Sequence, residues 1–148
     1  MNGHDQMDQT QTHIVSIGVD LVDISMIHQM LARRGETLYR KVLTPAEIER
    51  LRDVHPNPAT AFALCWATKE AASKALGAGL LRGFSWQDIE LTPTPDRQWA
   101  AALHSGAARL AVDLGIKQVA VALAATREHA IAVVVVYHLS PLIELPVK

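Results

Sequence analysis

Glu70 and Lys74 stand four residues apart in the run Trp66-Ala67-Thr68-Lys69-Glu70-Ala71-Ala72-Ser73-Lys74-Ala75-Leu76-Gly77. Leu64, Trp66, Ala67, Ala71 and Ala75 recur through it at helical spacing and read as a buried stripe. On such a helix the carboxylate and the ammonium share one face, about a turn apart. One reading is an ordinary surface ion pair, as most Glu/Lys pairs at this spacing are. The other is a site that holds a metal ion and a phosphate, which a small-residue helix lets approach closely. The choice between them turns on residues far upstream.

The stretch Ile14-Val15-Ser16-Ile17-Gly18-Val19-Asp20-Leu21-Val22-Asp23-Ile24 reads as a short buried strand, β-branched and apolar. Asp20 lies inside the apolar run, where an ionised carboxylate needs a partner, a hydrogen bond or a metal. Asp23 fits a helix cap before Ile24-Ser25-Met26-Ile27, so Asp20 is left to find a cation. With Glu70 it offers two hard oxygen donors for Mg²⁺, which takes one or two carboxylates and completes its octahedron with water and phosphate oxygens. Lys74 would neutralise a further phosphate oxygen as a point charge.

The two segments Gly18-Val19-Asp20-Leu21-Val22 and residues 66–77 together resemble the signature of the 4′-phosphopantetheinyl transferases. Gly83-Phe84-Ser85-Trp86-Gln87-Asp88-Ile89-Glu90-Leu91 is similar to the next element of that group. Length and the early first motif resemble the short holo-acyl-carrier-protein synthase type, and the likeness runs over residues 14–137. The resemblance implies an α+β fold of that family, with an antiparallel sheet packed against a long motif helix and shorter helices. It implies Mg²⁺-dependent transfer of the 4′-phosphopantetheine arm of coenzyme A to a serine of an apo acyl carrier protein, releasing 3′,5′-ADP. Asp20 and Glu70 would be the metal ligands, Asp20, Glu70 and Lys74 the catalytic residues, and Lys74 and Gly77 the contacts to coenzyme A. The serine proton could pass to a metal-bound water or to a carboxylate. A homotrimer with sites between subunits is also implied, as is docking of an acidic carrier on the helix bearing Arg33, Arg34 and an exposed methionine. A solvated basic face accounts for those arginines as well.

The chain departs from that pattern in three places. Relatives usually carry Ser-x-Ser-His where this chain has Ala122, Ala124 and Ala125 within residues 121–126. An arginine expected to help hold a coenzyme A phosphate is replaced by Cys65, and a Gly-Lys/Arg-Pro turn by Arg97-Gln98-Trp99. The alternative function is therefore a divergent, non-catalytic homologue that binds coenzyme A or a carrier protein without turnover.

These residues need elements to position them. Asp23 opens a helix to about Arg34, ended by Gly35. Thr44-Pro45-Ala46-Glu47 has the form of a capping box and starts a helix to about Val54. Asn57-Pro58 opens the motif helix, closed by Gly77 and Gly79. Strands are expected over residues 88–92 and 99–103, then a helix capped by Ser105 that runs to Leu114 and Gly115. Residues 118–124 and 130–137 read as a closing hairpin around Thr126-Arg127-Glu128-His129.

At 148 residues the chain is the size of one domain. The expected organisation is a flexible tail over residues 1–12, a phosphopantetheinyl transferase-like domain over 13–138 and an extended tail over 139–148. A composition of 49% hydrophobic and 20% charged residues is ordinary for a globular protein. A net charge of −1 gives no global basic field for nucleic acid or an anionic membrane. No apolar run reaches the ~20 residues of a membrane span, and the polar N-terminus is no signal peptide. The single cysteine excludes an internal disulfide and fits a reducing cytoplasm; in its apolar setting Cys65 reads as core. The seven histidines show no zinc-ligand spacing.

Overall fold

Alternation along one long strand decides where the core sits. The computed structural model describes residues 10–77 and 83–141. Strand β1 (Thr10–Asp23) sends Gly18 and Val22 inward, while Ile17, Val19 and Leu21 are 54%, 50% and 58% exposed. The strand is thus covered on one face only, where the sequence read as a buried strand.

The chain continues through α1 (Ile24–Val42), α2 (Pro45–Glu49), α3 (Leu51–Val54) and α4 (Pro58–Ala75). A 3₁₀ turn at Trp86–Asp88 leads to β2 (Ile89–Pro93) and β3 (Trp99–Leu103). Helix α5 (Ser105–Asp113) and the hairpin β4 (Gln118–Ala125) and β5 (His129–Pro141) complete it. The five strands form one antiparallel sheet in the order β1-β5-β4-β3-β2. Helix α4 packs across β1 and β5, against Val22, Ala130, Ala132, Val134 and Val136. The α+β class expected from the sequence is the one observed.

Local signals explain most boundaries. The Asp23 carboxylate accepts from Met26 N at 3.0 Å and opens α1. Thr44 and Glu47 close a reciprocal capping box, with Thr44 N donating to Glu47 Oε2 at 2.8 Å and Glu47 N to Thr44 Oγ1 at 3.2 Å. Asn57 Oδ1 accepts from Ala59 N and Thr60 N, and Pro58 occupies the first turn of α4.

Four expectations need correction. Gly35 does leave helical geometry (φ 49°), but the chain re-enters a helix directly and continues to Val42, carried by buried Leu38 and Val42. The helix expected to reach Val54 without interruption is broken at Arg50 into α2 and α3. His104, not Ser105, is the residue preceding the first turn of α5, and Ser105 adopts φ 45°. The sheet also extends beyond the expected domain limits, because residues 10–12 pair with 139–141. Residues 1–9 and 142–148, and Gly79 as a helix terminator, lie outside the described residues.

The buried stripe of α4 is wider than the sequence pattern indicated. Leu64, Ala67, Ala71 and Ala75 are buried as expected, and Trp66 partly so. Phe62, Ala63, Cys65, Thr68, Lys69, Ala72 and Ser73 are buried as well, so the helix is enclosed nearly all round. Its alanines let the sheet, α1 and β2 approach on different sides at once.

Candidate functional site

Gly18 is the point where β1 and α4 touch. A Cβ there would overlap the Ala71 carbonyl oxygen outright and come 2.8 Å from Ala75 N. Only a residue without a side chain permits so close a crossing. Two residues beyond it, on the same face of the strand, stands Asp20. Its Oδ1 accepts from Lys74 Nζ at 2.6 Å, and Lys74 also donates to the Val19 carbonyl at 3.0 Å. The Asp20 side chain is 17% exposed and that of Lys74 54%, so the pair lies at the rim of the crossing, open on one side. An ammonium has three protons, and one remains for a ligand oxygen.

Glu70 and Lys74 share a face of α4, yet they are not partners. Glu70 Oε1 accepts from Trp86 Nε1 at 2.9 Å, and Lys74 turns to Asp20. The simple surface ion pair within the helix is therefore replaced by two longer-range contacts. Trp86 itself is wedged against Trp66 with ring centroids 5.0 Å apart, and Trp66 against Phe62 at 5.8 Å. This aromatic stack fixes the indole, and the indole fixes the Glu70 carboxylate. Residue type and spacing alone assign Trp86 no role. A tryptophan just after the motif helix, followed by a short turn, was the available signal.

Lys69, next to Glu70 in the chain, has a different task. Its ammonium is fully buried, 2.7 Å from Glu47 Oε2, and donates to the carbonyls of Trp86 and Ile89. Glu47 Oε1 accepts from Leu91 N at 2.8 Å. The pair ties α2, α4 and β2 together and locks the segment that carries Trp86. It is buried and saturated, so it holds the site without facing it. A lysine in an otherwise apolar helix turn was the overlooked sign, since burial of such a charge demands a carboxylate from elsewhere.

Asp20 and Glu70 each use one carboxylate oxygen in these bonds, leaving Oδ2 and Oε2 without a hydrogen-bond partner among the described residues. A carboxylate beside an ammonium, with a second carboxylate one turn back on α4, is a donor set of the kind a divalent cation takes, its remaining positions going to water and phosphate. No group of three or more His, Cys, Asp or Glu gathers as a protein-only cage among the described residues. Gly77 follows the end of α4 in the left-handed region (φ 69°), its N–H on the Lys74 carbonyl at 3.0 Å. That geometry ends the helix just past Lys74 and leaves Gly77 exposed.

Cys65 is fully buried, and its thiol is pushed up to about 12, first by burial and then by the Glu47 charge. It is core, as the sequence indicated, and no nucleophile. Arg33 and Arg34 are exposed near the middle of α1, on the stretch that also exposes Met26.

A model of the 4′-phosphopantetheinyl transferase superfamily matches residues 16–134. A holo-[acyl-carrier-protein] synthase of Yersinia pestis is 38% identical over 123 residues, 83% of this chain and 97% of that protein. The holo-[acyl-carrier-protein] synthase of Helicobacter pylori, solved in complex with coenzyme A, superposes with a TM-score of 0.71 at 29% identity, covering 81% of this chain and 98% of that one. The Neisseria meningitidis synthase shares the fold at a TM-score of 0.76 and 23% identity, over 84% and 98% of the two chains.

Proposed function

The chain belongs to the 4′-phosphopantetheinyl transferase superfamily, and from that membership we propose the reaction and the residues that serve it. The protein is a holo-acyl-carrier-protein synthase: it transfers the 4′-phosphopantetheine arm of coenzyme A to a serine hydroxyl of an apo acyl carrier protein and releases 3′,5′-ADP. The observation that carries the site assignment is the Asp20–Lys74 contact where β1 crosses α4, with Glu70 one turn before Lys74 on the same helix.

Asp20 and Glu70 are the residues that would hold Mg²⁺, each through its free oxygen. When bound, the ion supplies charge neutralisation for the pyrophosphate. Lys74 donates its remaining N–H to a phosphate oxygen and stabilises charge that grows as the phosphorus–oxygen bond breaks. Trp86 holds Glu70 in one orientation, and Gly18 sets the depth at which Asp20 meets Lys74. Gly77 ends the helix beside the phosphates, so that backbone rather than a side chain borders the donor.

The acidic carrier docks against α1, where Arg33 and Arg34 supply charge and Met26 an adaptable apolar contact. The homotrimer finds its support in the uncovered sheet face. Ile17, Val19 and Leu21 of β1 lie beside Val135, Val133 and Ile131 of β5, which lie beside Ala120, Ala122 and Ala124 of β4. A face of nine apolar side chains without a charge is a surface that copies of this chain would cover.

Incubation of the protein with apo carrier, coenzyme A and Mg²⁺ tests the reading. The expected result is a carrier one phosphopantetheine heavier by mass spectrometry, with transfer abolished by a chelator and restored by Mg²⁺. A carrier panel that stays unmodified sinks it. Ile17→Lys is expected to dissociate the assembly in sedimentation velocity.

A further inference from the structure

Two histidines remote in the chain meet near one end of the sheet. His13 of β1 and His138 of β5 stand directly opposite each other in the antiparallel register, just beyond the bulge between Ile14 and Ser16. Their ring centroids are 5.4 Å apart and the ring planes are inclined by 30°. Neither imidazole has a hydrogen bond or an ion pair among the described residues. His13 is exposed and His138 half-buried, and no ring nitrogen of His138 is sealed from solvent without a partner. The flanking pairs, Thr12 with Leu139 and Ile14 with Tyr137, add no charge.

The pair is set apart from the transfer site and from the assembly surface. Along β5, Val134, Val136 and His138 alternate onto one face, and the two valines are buried in the core. The histidines therefore lie on the helix-bearing face, opposite to the one that exposes Ile17, Val19 and Leu21. From Ala132, the partner of Asp20, to His138 is six steps of register, about 20 Å of strand.

The separation of the rings has a meaning for metal chemistry. With imidazole nitrogens about 2.0–2.1 Å from Zn²⁺ and ligands at the tetrahedral angle, two ring centres come to about 5.2 Å apart. A right-angled pair, as on square-planar Cu²⁺, needs about 4.5 Å. The observed 5.4 Å is close to the tetrahedral spacing, so small side-chain rotations bring both rings onto one ion. Imidazole suits zinc, whereas Mg²⁺ takes oxygen ligands, so the two ions sort to different places on the sheet.

We propose that His13 and His138 form a two-histidine Zn²⁺ site, completed by water, that clips β1 to β5 at the end remote from Asp20. Strand β1 is an edge strand, joined to the sheet only through β5, so the ion holds the strand that carries Asp20. It stabilises the folded chain because the unfolded chain has no such chelating pair. The site stands independently of the transfer reaction.

Calorimetric titration of the intact protein with Zn²⁺, in excess Mg²⁺, tests the clip. Chelation makes the bond to the second histidine intramolecular. His13→Gln and His138→Gln are therefore each expected to weaken binding at this site about a hundredfold, and the double variant no further. Zn²⁺ is expected to raise the thermal midpoint of the wild-type protein and of none of the three variants. Co²⁺ in place of Zn²⁺ is expected to give the wild-type protein the intense visible bands of a tetrahedral ion. Equal Zn²⁺ binding by wild type and double variant overturns the inference. So does a loss confined to one of the single variants, losses that simply add in the double variant, or the weak spectrum of octahedral Co²⁺.

Discussion

Lys74 Nζ lies 2.6 Å from Asp20 Oδ1, although 54 residues separate them in the chain. The contact exists because Gly18 admits the α4 backbone against β1, and it aligns a cation and a carboxylate at an open rim.

The first prediction separates catalysis from stability at this pair. Exposed ion pairs contribute about 0–1 kcal/mol, and more than half of the Lys74 side chain is exposed. Lys74→Met is therefore expected to leave the thermal midpoint within a few degrees of wild type. Transfer to the carrier should fall about 10²–10³-fold, the usual consequence of removing one transition-state donor. Thermal melts and carrier mass shifts on the same preparation read both quantities. Full activity in a well-folded Lys74→Met protein would remove Lys74 from the mechanism.

Gly18→Ala tests the crossing. The added methyl meets backbone of α4 and no flexible side-chain end, so relief requires the strand and helix to part. Overpacking of this kind costs about 1–3 kcal/mol, and the upper end is expected. Activity should fall further than stability, because Asp20 and Lys74 separate. Urea unfolding and transfer kinetics check this; a variant with native stability and rate contradicts the tight contact.

Lys69→Met reports on the buried pair. Removing one member leaves the Glu47 carboxylate without its cation in the core, a loss of about 3–5 kcal/mol. The double change Lys69→Met with Glu47→Gln should recover part of it. Denaturant midpoints measure the difference. Equal stability of single and double variants would mean the two charges are uncoupled.

The Cys65 thiol gives a pH dependence with a definite sign. Its folded value is about 12 against an ordinary 9.0, and burial is the main cause. Above pH 9 the unfolded chain releases a proton that the native state keeps, so this group's contribution to stability declines between pH 9 and 12. Below pH 9 it is constant. Cys65→Ser should flatten that alkaline part of the stability profile. The native thiol should also resist alkylation at pH 8 and react only after unfolding, as mass spectrometry of iodoacetamide adducts would reveal.

Much of the architecture was legible because local chemistry dictates it. Asp23, the Thr44–Glu47 box and Asn57-Pro58 start helices through groups within three residues of each other. The closing hairpin follows from two valine-rich runs, and β3 from a short run between a turn and the start of α5. The second half of α1 was not legible: its stability comes from Leu38 and Val42 in the core, and Gly35 hides it. Nor was the break at Arg50, whose guanidinium is drawn to Glu90 at 2.9 Å and to the Leu91 carbonyl.

By themselves the residues Asp20, Glu70 and Lys74, their spacing and their neighbours determined the family, the fold class and the chemistry to be sought. Side-chain type and helical period are local properties, and the motif is made of them. Only the tertiary structure decided who pairs with whom. Lys74 leaves Glu70 for Asp20, Trp86 takes Glu70, and Lys69 disappears into the core with Glu47. Those choices depend on distances between elements remote in sequence, set by how closely an alanine-rich helix can lie on a glycine in a strand.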